Sequence, residues 1–170
     1  AEGIGTTCVI RVPFKIDLDA DKREEQKDVS ENSIKGLHIL LAEDNELNME
    51  IAEFVLQNEG ADVTKAWNGQ EAVELFRNSK PGEFNVILMD IMMPVMNGYE
   101  ATKMIRSLDR EDAKKIPIIA MTANAFTEDR IRAKEAGMDE HLSKPIVIDE
   151  VIKTILRYVH FDKELPNTDS

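Results

Sequence analysis

A chain of 170 residues, 42% hydrophobic and 32% charged, can bury one compact core and carry an extra segment. Its formal net charge of -12 and pI of about 4.7 argue against a nucleic-acid binder, which needs a basic footprint, and against charge-driven contact with an anionic membrane. No apolar run reaches the roughly 18 residues that span a bilayer, and the single cysteine, Cys8, permits no internal disulfide and points to a reduced, cytoplasmic setting.

The sequence begins at Ala1 and reads as a fragment of a longer protein, whose parent could itself be anchored in a membrane. Residues 1–16 contain a half-buried strand: Cys8, Ile10, Val12, Phe14 and Ile16 alternate with Arg11 and Lys15 on the other face. A lone strand has no sheet to join, so its partners are expected elsewhere. Residues 17–35 are charged, poor in large apolar residues and without a helical stripe, as in a solvated linker.

From Gly36 the pattern becomes periodic. "LHILLA" is a short apolar strand ending at Glu43-Asp44-Asn45, and Leu47, Ile51, Phe54 and Val55 then recur at helical spacing up to a C-cap at Gly60. "ADVTKA" is strand two; Asn68, with Glu71 three residues on, caps a helix whose inner face is Ala72, Val73 and Phe76. "NVILMD" is strand three, followed by a helix from Gly98 to Leu108 with Ala101, Met104, Ile105 and Leu108 inward. "IPIIAMT" is strand four, and Phe126 to Ala136 a more polar helix stopped by Gly137. "MDEHLSKP" supplies strand five and a turn before the most amphipathic helix, with Ile148, Val151, Ile152, Ile155, Leu156 and Val159 inward. Alternating strands and helices over residues 36–160, with near-continuous apolar strands, predict an α/β fold: a doubly wound, five-stranded parallel sheet covered on both faces. Residues 161–170 form a polar tail.

In such sheets the ligand site lies beyond the carboxyl ends of the strands. Strand one ends in Glu43-Asp44, strand three in Asp90, strand four in Thr122, and strand five leads into Lys144-Pro145. Each alone is an ordinary cap or turn residue; together they form a set. Two unit charges about 4 Å apart repel by roughly 4 kcal/mol at an effective dielectric of about 20, so three gathered carboxylates need a cation or must take up protons. Oxygen ligands with room for water and phosphate suit Mg²⁺ better than Ca²⁺. His38, His141 and His160 have no zinc-ligand spacing. A carboxylate can act as nucleophile and form an acyl phosphate, with Lys144 holding phosphoryl oxygens and Thr122 supplying one hydrogen bond.

The stretches "LLAEDNELN", "VILMDIMMPVMNGYEATKMIR", "IPIIAMTANA" and "GMDEHLSKP" resemble the receiver domain of two-component response regulators, in the form found at the C-terminus of hybrid sensor histidine kinases. "GIGTTCVIRVPF" is similar to the last glycine turn and strand of a histidine kinase ATP-binding domain. The resemblance implies a flavodoxin-like sheet of order 2-1-3-4-5. It implies that Asp90 takes a phosphoryl group from phosphohistidine, with Mg²⁺ held by Glu43, Asp44, Asp90 and the main-chain carbonyl of Met92. Thr122 and Lys144 would contact the phosphoryl group, and the Lys144–Pro145 bond would be cis. The expected donor is a histidine kinase phosphohistidine domain or a histidine phosphotransfer domain. The full-length parent would be a histidine kinase, although this stretch shows no nucleotide box of its own.

His141 stands where the family often has an aromatic residue that follows the threonine's movement; it is either an ordinary half-exposed strand residue or a switch residue alongside Thr122. Met92 and Asn124 flank the site. An aspartyl phosphate would repack the face made by the helix after strand four, strand five and the final helix. That face and the N-terminal strand are the two candidates for homodimer contact. Met49, off the main stripe of its helix, is either a docking residue for a phosphodonor helix or an ordinary exposed methionine. Two rivals remain. One is an aspartate-nucleophile phosphatase, which needs a second aspartate where Met92 stands; the other is a receiver-like module that never takes phosphate.

Overall fold

The computed structural model describes residues 33–123 and 127–161. The strand and linker expected up to residue 32, with Cys8, as well as Asn124, Phe126 and the tail after residue 161, lie outside the described residues.

Strands β1 (His38–Ala42), β2 (Asp62–Ala66), β3 (Val86–Asp90), β4 (Ile118–Thr122) and β5 (Glu140–Ser143) alternate with helices α1 (Glu46–Asn58), α2 (Gly69–Asn78), α3 (Gly98–Ser107), α4 (Glu111–Lys115), α5 (Thr127–Ala136) and α6 (Ile148–Phe161). The five strands form one sheet of order β2-β1-β3-β4-β5, with every pairing parallel. This is the doubly wound, flavodoxin-like architecture.

Its core follows from strand periodicity. Successive side chains leave a strand on opposite faces. Leu40, Ala42, Ile87, Met89, Ile118 and Ala120 therefore pack with α2 and α3 residues Ala72, Val73, Phe76, Ala101 and Ile105 on one face. The alternate residues Ile39, Leu41, Leu88, Ile119 and Met121 pack with Met49, Ala52, Leu56, Val151 and Ile155 of α1 and α6 on the other. Both faces are covered, so β3 and β4 are buried along their whole length. Each fully buried Ile or Leu contributes roughly 1.5–3 kcal/mol.

Three helices that leave the carboxyl ends of strands start on an asparagine. The side-chain oxygens of Asn45, Asn68 and Asn97 accept from the backbone N–H groups of Asn48, Glu71 and Glu100, at 3.1, 2.9 and 2.9 Å. Glu71 and Glu100 reach back to the N–H groups of Trp67 and Asn97, respectively. Such caps are worth about 1 kcal/mol each and fix where the helix begins relative to the strand. At the opposite pole the Arg106 guanidinium gathers the carbonyls of Ala113, Ile116 and Gly137 and the Asp139 carboxylate, tying α3 to the ends of α4 and α5.

Several sequence expectations need correction. The inner face of α1 is Met49, Ala52 and Leu56, not Leu47, Ile51 and Phe54, which are 64%, 51% and 65% exposed. Met49 is 0% exposed and belongs to the core, so it cannot dock a partner. The helix carries two apolar stripes at helical spacing, and its rotation on the sheet decides which is buried. In α3, Met104 is exposed while Thr102 is buried, its hydroxyl donating to the Gly98 carbonyl at 2.8 Å. Ile148 likewise lies outside the buried stripe of α6. Ile34, placed in the linker by its polar surroundings, is fully buried with the α1–α6 cluster. The short helix α4, "EDAKK", has no apolar stripe to announce it.

The two stripes of α1 predict opposite costs. Met49→Ala is expected to lower the unfolding free energy by about 2–5 kcal/mol, and Phe54→Ala to change it by no more than about 0.5 kcal/mol. Urea unfolding of the two variants checks this, and the reverse order would reject the observed rotation of the helix.

Candidate functional site

The residues at the carboxyl ends of β1, β3, β4 and β5 converge. Glu43 directly follows β1 and is 1% exposed, Asp90 ends β3 and is 5% exposed, and Thr122 ends β4 and is also buried. Asp44 is exposed beside them. Carboxylate oxygens of Glu43, Asp44 and Asp90 lie within 4.8 Å of one another, so these three side chains could hold one metal ion.

Lys144 supplies the positive charge. Its Nζ donates to Glu43 Oε2 at 2.5 Å and to Asp90 Oδ2 at 2.7 Å. The Lys144 N–H donates to the Thr122 carbonyl at 2.7 Å, holding the start of the following loop against the end of β4. The Lys144–Pro145 peptide bond is cis. Three carboxylates and one ammonium leave two negative charges at the site, the complement of a divalent cation. All-oxygen donors match a hard ion.

Burial pushes the Asp90 carboxyl above its ordinary value, and the Glu43 charge adds to the rise; Lys144 and the Met92 N–H only partly oppose it. For Lys144, burial pulls the ammonium down, but hydrogen bonds and charge from Asp90 and Glu43 outweigh it and hold the group above its ordinary value.

The loop after Asp90 is held by main-chain contacts. The Met92 N–H donates to Asp90 Oδ1 at 3.2 Å, while the Met92 side chain is 77% exposed. The Gly98 N–H donates to the Ile91 carbonyl at 3.0 Å. A Cβ at Gly98 would come within 2.2 Å of the Asp90 carbonyl oxygen, so only glycine lets α3 begin this close to Asp90. A Cβ at Gly69 would meet the Met96 carbonyl at 2.5 Å, where the Gly69 N–H instead donates at 3.0 Å. Between these anchors Val95 adopts φ 66° and the Met96 N–H donates to the Pro94 carbonyl at 2.7 Å. A β-branched residue in that region stores strain of order 1–3 kcal/mol. Local periodicity carries none of these loop constraints; "MNG" marks only the start of a helix.

Asn48, part of the quoted "EDNELN" but given no role by the sequence, donates from Nδ2 to Glu43 Oε1 at 3.0 Å. His141 is not part of the Glu43, Asp44 and Asp90 cluster. It pairs in register with Ala120, its Nδ1 lies 3.1 Å from Glu140 Oε1, and it lines a groove with Arg130 and Lys134 of α5. Glu140 is tied in turn to Arg157 at 2.6 Å.

The family pattern of the response regulator receiver domain matches residues 39–156. The chain belongs to that family. It is a receiver domain of a two-component phosphorelay, related to the receivers of hybrid histidine kinases. It is 36% identical over 159 residues to Histidine kinase 1 of Arabidopsis thaliana, covering 75% of this chain but 13% of that protein. This receiver thus spans a small part of such relatives. Among solved structures it resembles the receiver domain of a sensor histidine kinase from Pseudomonas aeruginosa with a magnesium ion in its active-site cleft (38% identity, TM-score 0.67, 74% of this chain and 98% of that one). It also resembles the receiver of Ssk1 from Saccharomyces cerevisiae, crystallised with the histidine phosphotransfer protein Ypd1; identity is 27% and TM-score 0.67, with 80% of this chain and 97% of that one covered. Among the described residues no helix is long and apolar enough to cross a membrane.

The raised Asp90 carboxyl makes a stability prediction whose sign can be worked out. A group whose folded pKa is raised binds its proton more tightly when folded, so stability falls as pH rises from the unfolded to the folded value and the penalty is complete above it. In EDTA at pH 7.5, Asp90→Asn is therefore expected to unfold with a free energy about 0.5–2 kcal/mol higher than wild type, the difference shrinking as pH falls. Urea curves showing the variant less stable at pH 7.5 would contradict it.

Proposed function

We propose that Asp90 is the phospho-acceptor of this receiver and takes its phosphoryl group from a phosphohistidine. The observation that carries this is the ion-paired cluster itself: a buried carboxylate at a strand end, a second buried acid, an exposed third, and one lysine shared between the buried pair. An Asp90 carboxylate oxygen would attack phosphorus as the P–N bond to the donor imidazole breaks, leaving an acyl phosphate on Asp90 and a free imidazole. Mg²⁺, held by Glu43, Asp44, Asp90 and the Met92 carbonyl, would neutralise charge on the phosphoryl oxygens. Lys144 would turn from its two carboxylates to the new phosphoryl group, and Thr122 would hydrogen-bond it. The magnesium-bound relative supports this choice of ion.

The added one to two negative charges would draw Thr122 inward, and His141 on the neighbouring strand would follow it, repacking the α5–β5–α6 face. The phosphatase alternative has no second acid: Met92, with its exposed side chain, stands two residues after Asp90. The unphosphorylated-module alternative would be favoured by a broken cluster, and here the cluster is assembled.

For a partner, the Ypd1 complex of a related receiver supports a histidine phosphotransfer domain or a kinase phosphohistidine domain. The exposed stripe Leu47, Ile51 and Phe54 lies on α1, the helix that starts just after Glu43 and Asp44, and Val147 and Ile148 are exposed before and at the start of α6. Ile51 and Ile148 flank a small apolar cavity of about 60 Å³ between α1 and α6. This surface, rather than Met49, would receive the donor. The parent would be a cytoplasmic-facing hybrid histidine kinase, with residues 1–16 as the last strand of its ATP-binding domain.

Two measurements test this. Incubation with Mg²⁺ and acetyl phosphate should add one phosphoryl mass to the wild type and none to Asp90→Ala; a gain that survives in Asp90→Ala would refute the assignment. Phe54→Asp should slow transfer from phosphorylated Ypd1 by about 10-fold or more, the rate equivalent of about 1.4 kcal/mol, with acetyl phosphate labelling kept within about 2-fold. Equal slowing with both donors would place the fault in the site, not the docking surface.

A further inference from the structure

The stretch Glu43-Asp44-Asn45-Glu46-Leu47-Asn48 holds two asparagines that the phosphotransfer chemistry leaves unused. Asn45 serves the helix: its side-chain oxygen caps α1 by accepting the Asn48 N–H. The Asn48 side chain points back to the strand end, where Nδ2 donates to Glu43 Oε1 at 3.0 Å. Glu43 is 1% exposed, and a buried carboxylate is costly unless its oxygens find donors. Oε2 has Lys144 at 2.5 Å. Oε1 has Asn48, with the Asn45 N–H farther away at 3.4 Å.

These donors differ in permanence. Lys144 is shared with Asp90 and is the cation a phosphoryl group on Asp90 would attract. Asn48 is fixed at the third position of α1 by the Asn45 cap. Being neutral, it satisfies Oε1 without cancelling any of the negative charge that attracts a divalent ion. We infer that Asn48 is a positioning residue for the metal site: it ties down Oε1, so that Glu43 offers Oε2 to the ion shared with Asp44 and Asp90 and stays in place when Lys144 leaves it. The five-residue interval from Glu43 to Asn48 is then a functional spacing, set by one exposed acid, one cap and one turn of helix. The inference rests on Mg²⁺ being the ion of this site.

Isothermal titration of the full chain with Mg²⁺ alone, without phosphodonor, tests it in wild type, Asn48→Leu, Asn48→Gln, Glu43→Gln and the Glu43→Gln/Asn48→Leu double variant. Asn48→Leu is expected to weaken Mg²⁺ binding about 10-fold, the lower end of what losing such an outer partner costs. Asn48→Gln, which returns a carboxamide donor, should recover most of that loss. In the Glu43→Gln background, Asn48→Leu should change binding by less than about 2-fold, because no carboxylate is left to orient. Near-ultraviolet circular dichroism in EDTA establishes that each variant is folded, and Asn48→Ser replaces Asn48→Leu under the same criteria should the leucine variant not fold. Binding by Asn48→Leu within about 2-fold of wild type, or the same loss with and without Glu43, would overturn the role of Asn48 alone. Failure of the wild type to bind Mg²⁺ would overturn the choice of ion and this inference together.

Discussion

The structure depends on keeping acids together that would otherwise repel. Glu43 and Asp90 are buried beside each other at the edge of a parallel sheet, Asp44 stands at the rim, and one ammonium, Lys144, bridges the buried pair. A buried pair of like charges is unfavourable by several kcal/mol unless compensated. Lys144 supplies part of the compensation and leaves a deficit of two charges. That deficit is the charge complement of one divalent cation. Burial, with the neighbouring Glu43 charge adding to it, also holds the Asp90 carboxyl above its ordinary value.

The sheet makes this arrangement affordable. Pairing β1, β3 and β4 side by side brings their carboxyl ends to one edge, and burial of β3 and β4 on both faces holds those ends rigidly. Asparagine caps then start α1, α2 and α3 at fixed points beyond the strands, and Gly69 and Gly98 allow main chain to pass where a side chain would collide. The strain at Val95 sits in the loop these contacts pin down. Stability from the core is therefore spent on geometry at the rim, as expected where a functional site and a fold share residues.

Several large apolar side chains are exposed on this acidic chain. Leu47, Ile51 and Phe54 of α1, Val147 and Ile148 before and at the start of α6, and Met92 and Val95 of the loop after Asp90 are all exposed. Contiguous exposed apolar patches on soluble domains are commonly interaction sites. In a chain of net charge -12, a partner guided by shape and apolar contact escapes the repulsion that an acidic partner would meet elsewhere.

The sequence by itself determined the strands, the parallel class, the three acids and the lysine, because strands buried on both faces read as continuous apolar runs and a polar residue at the end of each run has few places to go. It placed the Asn68 cap and the inner face of α2 for the same reason: one stripe, one face. Only the tertiary structure decided which stripe of α1 is core, since Met49-Ala52-Leu56 and Leu47-Ile51-Phe54 share one period and differ only in rotation against β1 and α6. It alone buried Ile34, revealed α4, and set Asn48 against Glu43. Those outcomes depend on contacts between segments far apart in the chain or on the angle at which a helix leaves a strand, and neither is written in local periodicity.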